Sequence, residues 1–189
     1  MDFPSWLEVR LSCEFLIRMM FSALVDADWL DTEMHYEPQK GAYRVGYADL
    51  EELWSAFQEN QAILMRSDSR LIDINQARAE IYEACISAAD GPKGVYRLTV
   101  PTGGGKTRSG MGFALKHAVQ HNMDRIIAAI PYTSIIDQTA AVYKNIFGAG
   151  NVLEHHSAVE PPLTEDEDET ELELRRQLAS ENWDAPIIV

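Results

Sequence analysis

The sequence contains little cysteine and no long apolar run. Only two cysteines occur in 189 residues, Cys13 and Cys85, and their spacing is neither a metal-binding nor a redox pattern. No stretch approaches the roughly eighteen uncharged residues of a membrane span. The opening residues, MDFPSWLEVR, lack the basic and apolar regions of an export signal. We therefore expect a cytoplasmic protein with reduced, buried cysteines and no membrane partner.

Basic residues are also scarce, with 16 Lys and Arg against 30 Asp and Glu and a net charge of −14. Seven carboxylates lie between Glu165 and Glu173 with no basic residue among them. Such a run predicts a solvated segment that is open to proteases. The rest of the chain is only mildly acidic, so the composition is compatible with a local groove for nucleic acid.

The stretch VPTGGGKTRSG, residues 100–110, is close to a phosphate-binding loop. The usual pattern is Gly, four residues, then Gly-Lys-Ser/Thr, and here Val100 stands where the first glycine is expected. The flanking sequence predicts a strand over Val95–Val100 and a helix after Thr107, which is the context such a loop requires. The alternative is a glycine-rich turn before an ordinary helix.

In a phosphate-binding loop, glycines turn successive backbone N–H groups onto one anion. Lys106 is expected to reach the β- and γ-phosphates of a nucleoside triphosphate, and Thr107 to offer its hydroxyl to Mg²⁺. These two are the predicted catalytic residues. The predicted nucleotide-binding residues of the loop are Thr102, Gly103, Gly104, Gly105, Lys106 and Thr107.

Hydrophobic periodicity predicts helices at residues 6–34, 48–65 and 73–90, before the glycine loop. After the loop, strands and helices alternate. The predicted elements there are strands at 125–130, 151–155 and 185–189 and a helix at 134–147 that Gly148 ends. This alternation predicts an α/β fold with an open parallel sheet. The chain stops inside the last strand, which we expect to lack a partner.

A second motif, PYTSIIDQTA (Pro131–Ala140), follows the predicted strand at 125–130. A strand that ends in proline, then small hydroxyl residues and a helix carrying glutamine, is how superfamily 2 helicases build their motif Ia. The alternative is an ordinary helix cap by Thr133 or Ser134, which is compatible with phosphate binding. The predicted contacts to the backbone of single-stranded DNA are Tyr132, Thr133, Ser134 and Gln138.

Two stretches, in the same order, resemble one family. Residues 98–157 resemble the helicase core of the CRISPR-associated helicase-nuclease of type I systems, and Ile17–Glu33 resembles the final helix of its HD nuclease domain. The resemblance implies an ATP-dependent DNA helicase coupled to a metal-dependent single-strand nuclease in antiviral defence. It implies ATP, Mg²⁺ and a divalent transition metal as cofactors. The implied partners are single-stranded DNA and an RNA-guided surveillance complex.

The same resemblance implies further site residues. Asp28 corresponds to a metal ligand of the nuclease site, and Gln76 lies where a glutamine reads adenine. The alternatives are a solvated or capping aspartate and a surface glutamine. No histidine precedes Asp28, so the His-Asp pair of an HD domain is absent. His155 and His156 point to opposite faces if they lie in one strand, and we expect neither to bind a metal.

The predicted architecture has three parts. Residues 1–66 form the C-terminal helical part of an HD-type nuclease domain, 67–93 a linker and helix, and 94–189 the N-terminal part of a first RecA-like helicase domain. The acidic magnesium motif and the arginines of a second domain would lie beyond Val189, so we expect the chain alone neither to hydrolyse ATP nor to cut DNA. Two alternatives stay open: another superfamily 2 translocase, such as a restriction-system motor, and a non-catalytic nucleotide-binding module.

Overall fold

The computed structural model of the chain describes residues 5–44, 46–67, 72–156, 178–181 and 183–189. The acidic run lies outside these residues. The chain divides into two compact units, Met1–Val45 and Gly46–Val189, and the division falls within the segment predicted as the first domain. None of the described helices combines the length and the apolar composition of a membrane span.

The first unit consists of helix α1 (Ser5–Tyr36) and a 3-10 helix at Pro38–Arg44. The Arg44 guanidinium donates to both Glu33 carboxylate oxygens, from Nε at 3.0 Å and from Nη2 at 2.9 Å. Hydrogen bonding from Arg44 lowers the pKa of Glu33 and outweighs the opposing effect of burial. This pair therefore fastens the 3-10 helix to the last turn of α1. The apolar side chains of α1 that remain exposed include Phe15, Ile17, Met20, Leu24 and Trp29.

The second unit is mostly helical and contains a small parallel sheet. Its helices agree with the predicted segments to within a few residues, and β1 to β3 lie within the three segments predicted as strands after the loop. The described elements are α2 (Leu50–Ser67), α3 (Ile72–Ala88), α4 (Lys106–Gln120), β1 (Ile126–Ile127), α5 (Thr133–Phe147), a 3-10 helix (Ala149–Asn151), β2 (Val152–Leu153) and β3 (Ile187–Ile188).

The sheet has the order β1-β3-β2, and both pairings are parallel, as the alternation predicted. The expectation that the last strand lacks a partner is wrong. The Ile126 N–H donates to the Pro186 carbonyl at 2.8 Å, and the Val189 N–H donates to the Leu153 carbonyl at 2.9 Å. Strand β3 therefore lies in the centre of the sheet, because β1 and β2 reach it from opposite sides.

The predicted strand at Val95–Val100 does not form. None of the described strands pairs with this segment. The Val95 side chain is fully exposed. The segment contacts α4 instead, where the Tyr96 ring lies 4.9 Å from the Phe113 ring centroid and 5.5 Å from that of His117. The chain entering the glycine loop is therefore supported by a helix.

Helix α2 starts with a reciprocal pair of side-chain caps. Asp49 Oδ1 accepts from the Glu52 N–H at 2.8 Å, and Glu52 Oε2 accepts from the Asp49 N–H at 3.3 Å. This is the capping-box arrangement, and it satisfies two N–H groups that the helix itself leaves open. The apolar face that follows buries Leu53 and Phe57, with Phe57 fully buried. The Phe57 ring is stacked 6.1 Å from Phe147 of α5.

Helix α4 packs on α2 and α3 through a glycine. A Cβ at Gly112 would lie 2.9 Å from Tyr82 Cε2 and 3.1 Å from Phe57 Cε1, so a larger residue would push the helices apart. Leu115 on the same helix is fully buried. Since the core holds α4 on this side, its first turn has a fixed position relative to α2 and α3.

Candidate functional site

The glycine loop adopts a conformation that requires its glycines. Gly103 and Gly105 have φ of +86° and +81°, in the left-handed region that side chains disfavour. A Cβ at Gly104 would lie 2.3 Å from Val100 Cγ1. The Gly104 N–H donates to the Pro101 carbonyl at 3.1 Å, which closes a tight turn. The three glycines are therefore needed for two different reasons, backbone conformation at two positions and space at the third.

Helix α4 begins directly at this loop. Gly105 is its N-cap, no side chain caps it, and Lys106 is the first helical residue. Lys106 and Thr107 are both exposed. The open N–H groups of a first helical turn, together with the helix dipole, favour an anion at this position. A lysine beside those N–H groups adds a full positive charge, so the arrangement suits a phosphate group.

Two arginines next to the loop add further positive charge. Arg78 of α3 donates from Nε to the Gly103 carbonyl at 3.0 Å. Arg108 is held by Gln61, which accepts from Nε at 2.8 Å, and by Asn60, which accepts from Nη2 at 2.7 Å. Burial lowers the pKa of the Arg108 guanidinium. Both side chains line a pocket of about 250 Å³ that reaches Gly105.

Gln76 lies on the exposed part of α3, and its Nε2 donates to Glu80 Oε1 at 3.1 Å. The α3 residues that line the pocket beside Gly105 include its neighbours Asn75 and Arg78. The assignment of Gln76 to adenine recognition stays a prediction. Sequence reading did not single out Asn75, Arg78 or Arg108, because a single polar residue on a helix carries no signal until the facing helix is known.

The start of α5 differs from the alternative interpretation, a cap by Thr133 or Ser134. Tyr132 is the N-cap, with extended φ of −129°, and no side chain caps the helix. The helix starts here because the N–H groups of Ile135 and Ile136 both donate to the Tyr132 carbonyl at 3.0 Å. Thr133 is therefore already helical, and neither Thr133 nor Ser134 is the cap. The four residues predicted to contact DNA are all exposed: Tyr132, Thr133, Ser134 and Gln138.

A buried tyrosine connects α5 with the first turn of α4. The Tyr143 hydroxyl donates to the Thr107 carbonyl at 3.5 Å, a long hydrogen bond. Burial raises the pKa of Tyr143 to about 12. The phenol is therefore neutral at ordinary pH. The contact brings the helix of the second motif to the residue predicted to bind Mg²⁺.

Asp28 is exposed on α1, in the first unit. Among the described residues it belongs to no group of His, Cys, Asp and Glu side chains close enough to hold a metal ion. Its role in a nuclease site stays a prediction that rests on the resemblance.

A group of side chains close enough to hold a metal ion does form in the second unit, where the sequence predicted none. Asp137, Glu154 and His156 each place one ligand atom within 4.8 Å of the others. The neighbouring His155 points away, with its ring 5.5 Å from that of Trp183, as expected for adjacent residues of an extended segment. The available signal was the i, i+2 spacing of Glu154 and His156, which places both on one face. Asp137 comes from another element, so no local pattern marks it.

Comparison with protein-family models and with curated proteins gives no match to this chain.

Proposed function

We propose that Thr102–Thr107 binds the phosphates of ATP together with Mg²⁺. The observation that carries the proposal is the pair of left-handed glycines, Gly103 and Gly105, placed before a helix that starts with the exposed Lys106. An ordinary turn does not require this combination of backbone and charge. A polyphosphate site needs both, because several N–H groups must converge on the phosphates and a cation must neutralise them.

The chain's own residues divide the binding between them. The backbone N–H groups of the loop and of the first turn of α4 donate to phosphate oxygens, and Lys106 neutralises the β- and γ-phosphate charge. The Thr107 hydroxyl holds Mg²⁺ in this proposal, and the ion offsets the remaining charge of the triphosphate. Arg78 keeps the loop in shape through the Gly103 carbonyl.

In the wider proposal, this unit is the ATP-binding part of a DNA translocase of the kind found in type I CRISPR helicase-nucleases. The start of α5 supports it, since exposed Tyr132, Thr133 and Ser134 surround uncapped N–H groups. Hydroxyls and N–H groups suit the phosphates of a single strand, and an exposed aromatic ring suits base stacking. The nuclease activity rests on the resemblance alone.

The test is calorimetric titration of the chain with ATP and Mg²⁺. We expect Lys106→Ala to weaken binding about tenfold or more, as for the loss of hydrogen bonds to a charged group. Lys93→Ala is the matched control, because Lys93 is an exposed lysine that precedes the loop. Equal affinities for the wild type and Lys106→Ala, with both folded by circular dichroism, would falsify the assignment.

A further inference from the structure

The cluster of Asp137, Glu154 and His156 combines side chains from two elements of the second unit. Asp137 lies near the start of α5, and the other two follow β2. The His156 Nε2 lies 3.2 Å from Asp137 Oδ1 and 3.3 Å from Glu154 Oε1. The His156 and Glu154 side chains are only 10% and 15% exposed, whereas that of Asp137 is 58% exposed. One side of the cluster is therefore held by the protein and the other faces solvent.

The fold itself brings these residues together. The Asn151 side chain donates from Nδ2 to the Phe147 carbonyl at 2.8 Å, which makes the connection from α5 to β2 tight. The chain reverses there, so the end of β2 lies beside the start of α5. The His155 N–H continues the ladder by donating to the Val189 carbonyl at 2.9 Å. Glu154 and His156 consequently share the face opposite to His155.

The electrostatics of the cluster favour a cation. A single imidazole nitrogen carries at most one hydrogen, yet Nε2 faces two carboxylate oxygens. Lys144 compensates only part of the negative charge, since its Nζ lies 2.5 Å from the other Glu154 oxygen, Oε2. The cluster therefore contains two carboxylate side chains, and one ammonium group pairs with it.

Two of the three separations between ligand atoms match a coordination sphere. Ligands at about 2.1 Å from a tetrahedral zinc ion lie about 3.4 Å from one another. The two nitrogen–oxygen separations, 3.2 and 3.3 Å, are close to that value. One imidazole nitrogen and two carboxylate oxygens form a donor set that borderline divalent ions accept. The exposed side, next to Asp137, leaves a position for water.

We propose that Asp137, Glu154 and His156 bind a divalent transition-metal ion of the Zn²⁺ class. The bound ion cross-links the start of α5 to the end of β2. It thereby fixes the helix whose first residues, Thr133 and Ser134, are the proposed DNA contacts. The metal proposal does not depend on nucleotide binding at Lys106, so an experiment can contradict either proposal without affecting the other.

The experiment titrates the EDTA-treated chain with Zn²⁺ by calorimetry and with Co²⁺ by visible absorption. We expect saturable binding of one ion and an intense tetrahedral Co²⁺ spectrum. Asp137→Asn, an isosteric change at an exposed position, and His156→Ala are each expected to weaken binding about tenfold or more. His155→Ala is the matched control, because it removes the adjacent imidazole from the other face, and its affinity should stay within about twofold of the wild type.

A second measurement covers the case in which His156→Ala does not fold. Zn²⁺ should raise the melting temperature of the wild type and of His155→Ala but not that of Asp137→Asn. The proposal would be overturned if there were no saturable Zn²⁺ binding below about 1 mM, or if Asp137→Asn had unchanged affinity. Loss of binding in His155→Ala alone would also overturn it, since the ion would then lie on the opposite face.

Discussion

The N-termini of α4 and α5 have one property in common, the absence of a side-chain cap. They differ in the backbone that precedes them. Before α4 the chain turns through left-handed Gly103 and Gly105, whereas α5 follows Tyr132 with an extended φ of −129°. In the proposed function, the folded loop surrounds a compact polyphosphate, and the exposed residues at the start of α5 contact the backbone of a single strand. The open N–H groups of the two helix starts are thus proposed to bind two different anions.

The largest effect is expected from filling the space at Gly104. In Gly104→Ala the new Cβ would lie 2.3 Å from Val100 Cγ1 and 3.1 Å from the Pro101 carbonyl oxygen, so the loop must shift. We expect ATP affinity to fall about tenfold or more and the free energy of unfolding to fall by about 1–3 kcal/mol. Calorimetry and thermal melting check both. Gly94→Ala is the control, since nothing lies within 4 Å of its Cβ. Unchanged ATP affinity in Gly104→Ala would contradict the loop assignment.

Substitution at the other helix start should affect DNA and leave the nucleotide alone. The Tyr132 side chain is 66% exposed. Because stacking of a base on an aromatic ring contributes about 1–3 kcal/mol, Tyr132→Ala should weaken single-stranded DNA binding about tenfold. Fluorescence anisotropy with a labelled oligonucleotide measures this, and Tyr36→Ala, at an exposed tyrosine of the first unit, is the control. A Tyr132→Ala variant that loses ATP binding but keeps DNA binding would contradict the assignment of DNA to the start of α5.

Two glycines of α4 should respond with opposite signs. A Cβ at Gly112 meets Tyr82 and Phe57 at 2.9 and 3.1 Å, whereas nothing lies within 4 Å of a Cβ at Gly110. Gly112→Ala should therefore lower the free energy of unfolding by about 1–2 kcal/mol. Gly110→Ala should raise it by about 0.5–1 kcal/mol, because alanine favours a helix. Urea denaturation distinguishes them. Equal effects would mean that α4 does not pack closely on α2 and α3.

A smaller effect concerns the tyrosine that joins the two helices. Since burial raises the pKa of Tyr143 to about 12, the neutral phenol stabilises the fold fully below the unfolded pKa of about 10. That contribution is lost as the pH rises toward 12. The loss in the free energy of unfolding amounts to about 1 kcal/mol by pH 11. Tyr143→Phe should flatten this part of the pH dependence. Parallel alkaline stability curves for the two proteins would show that Tyr143 is not buried.

The helices were largely predictable because each carries its own signal. In α2 the apolar period and the Asp49–Glu52 cap are contained in one segment, and in α5 Gly148 marks the end. The absence of a strand at Val95–Val100 was not predictable, since a strand forms only with a partner that the local sequence does not specify. A β-rich run is only a candidate for pairing. Here the segment contacts α4 through Tyr96, whose ring lies beside those of Phe113 and His117.

The candidate sites divide in the same way. The glycine loop was predictable because Gly103–Thr107 is contiguous and its chemistry depends on local backbone. The pocket arginines and the cluster of Asp137, Glu154 and His156 were not predictable, because Arg78 and Asp137 come from helices that reach their sites only through packing. The alternative interpretation of Thr133 or Ser134 as the helix cap is wrong for a local reason, because Thr133 is already the first residue of the helix.

The most direct measurement is a map of backbone amide shifts by ¹⁵N NMR during titration with ATP and Mg²⁺, repeated with inorganic triphosphate. The account predicts that the largest shifts with both ligands fall at Gly103, Gly105 and Lys106. Smaller changes are expected at Thr133 and Ser134. Amides of the loop that stay unperturbed while those at the start of α5 move would contradict the assignment of the polyphosphate to α4.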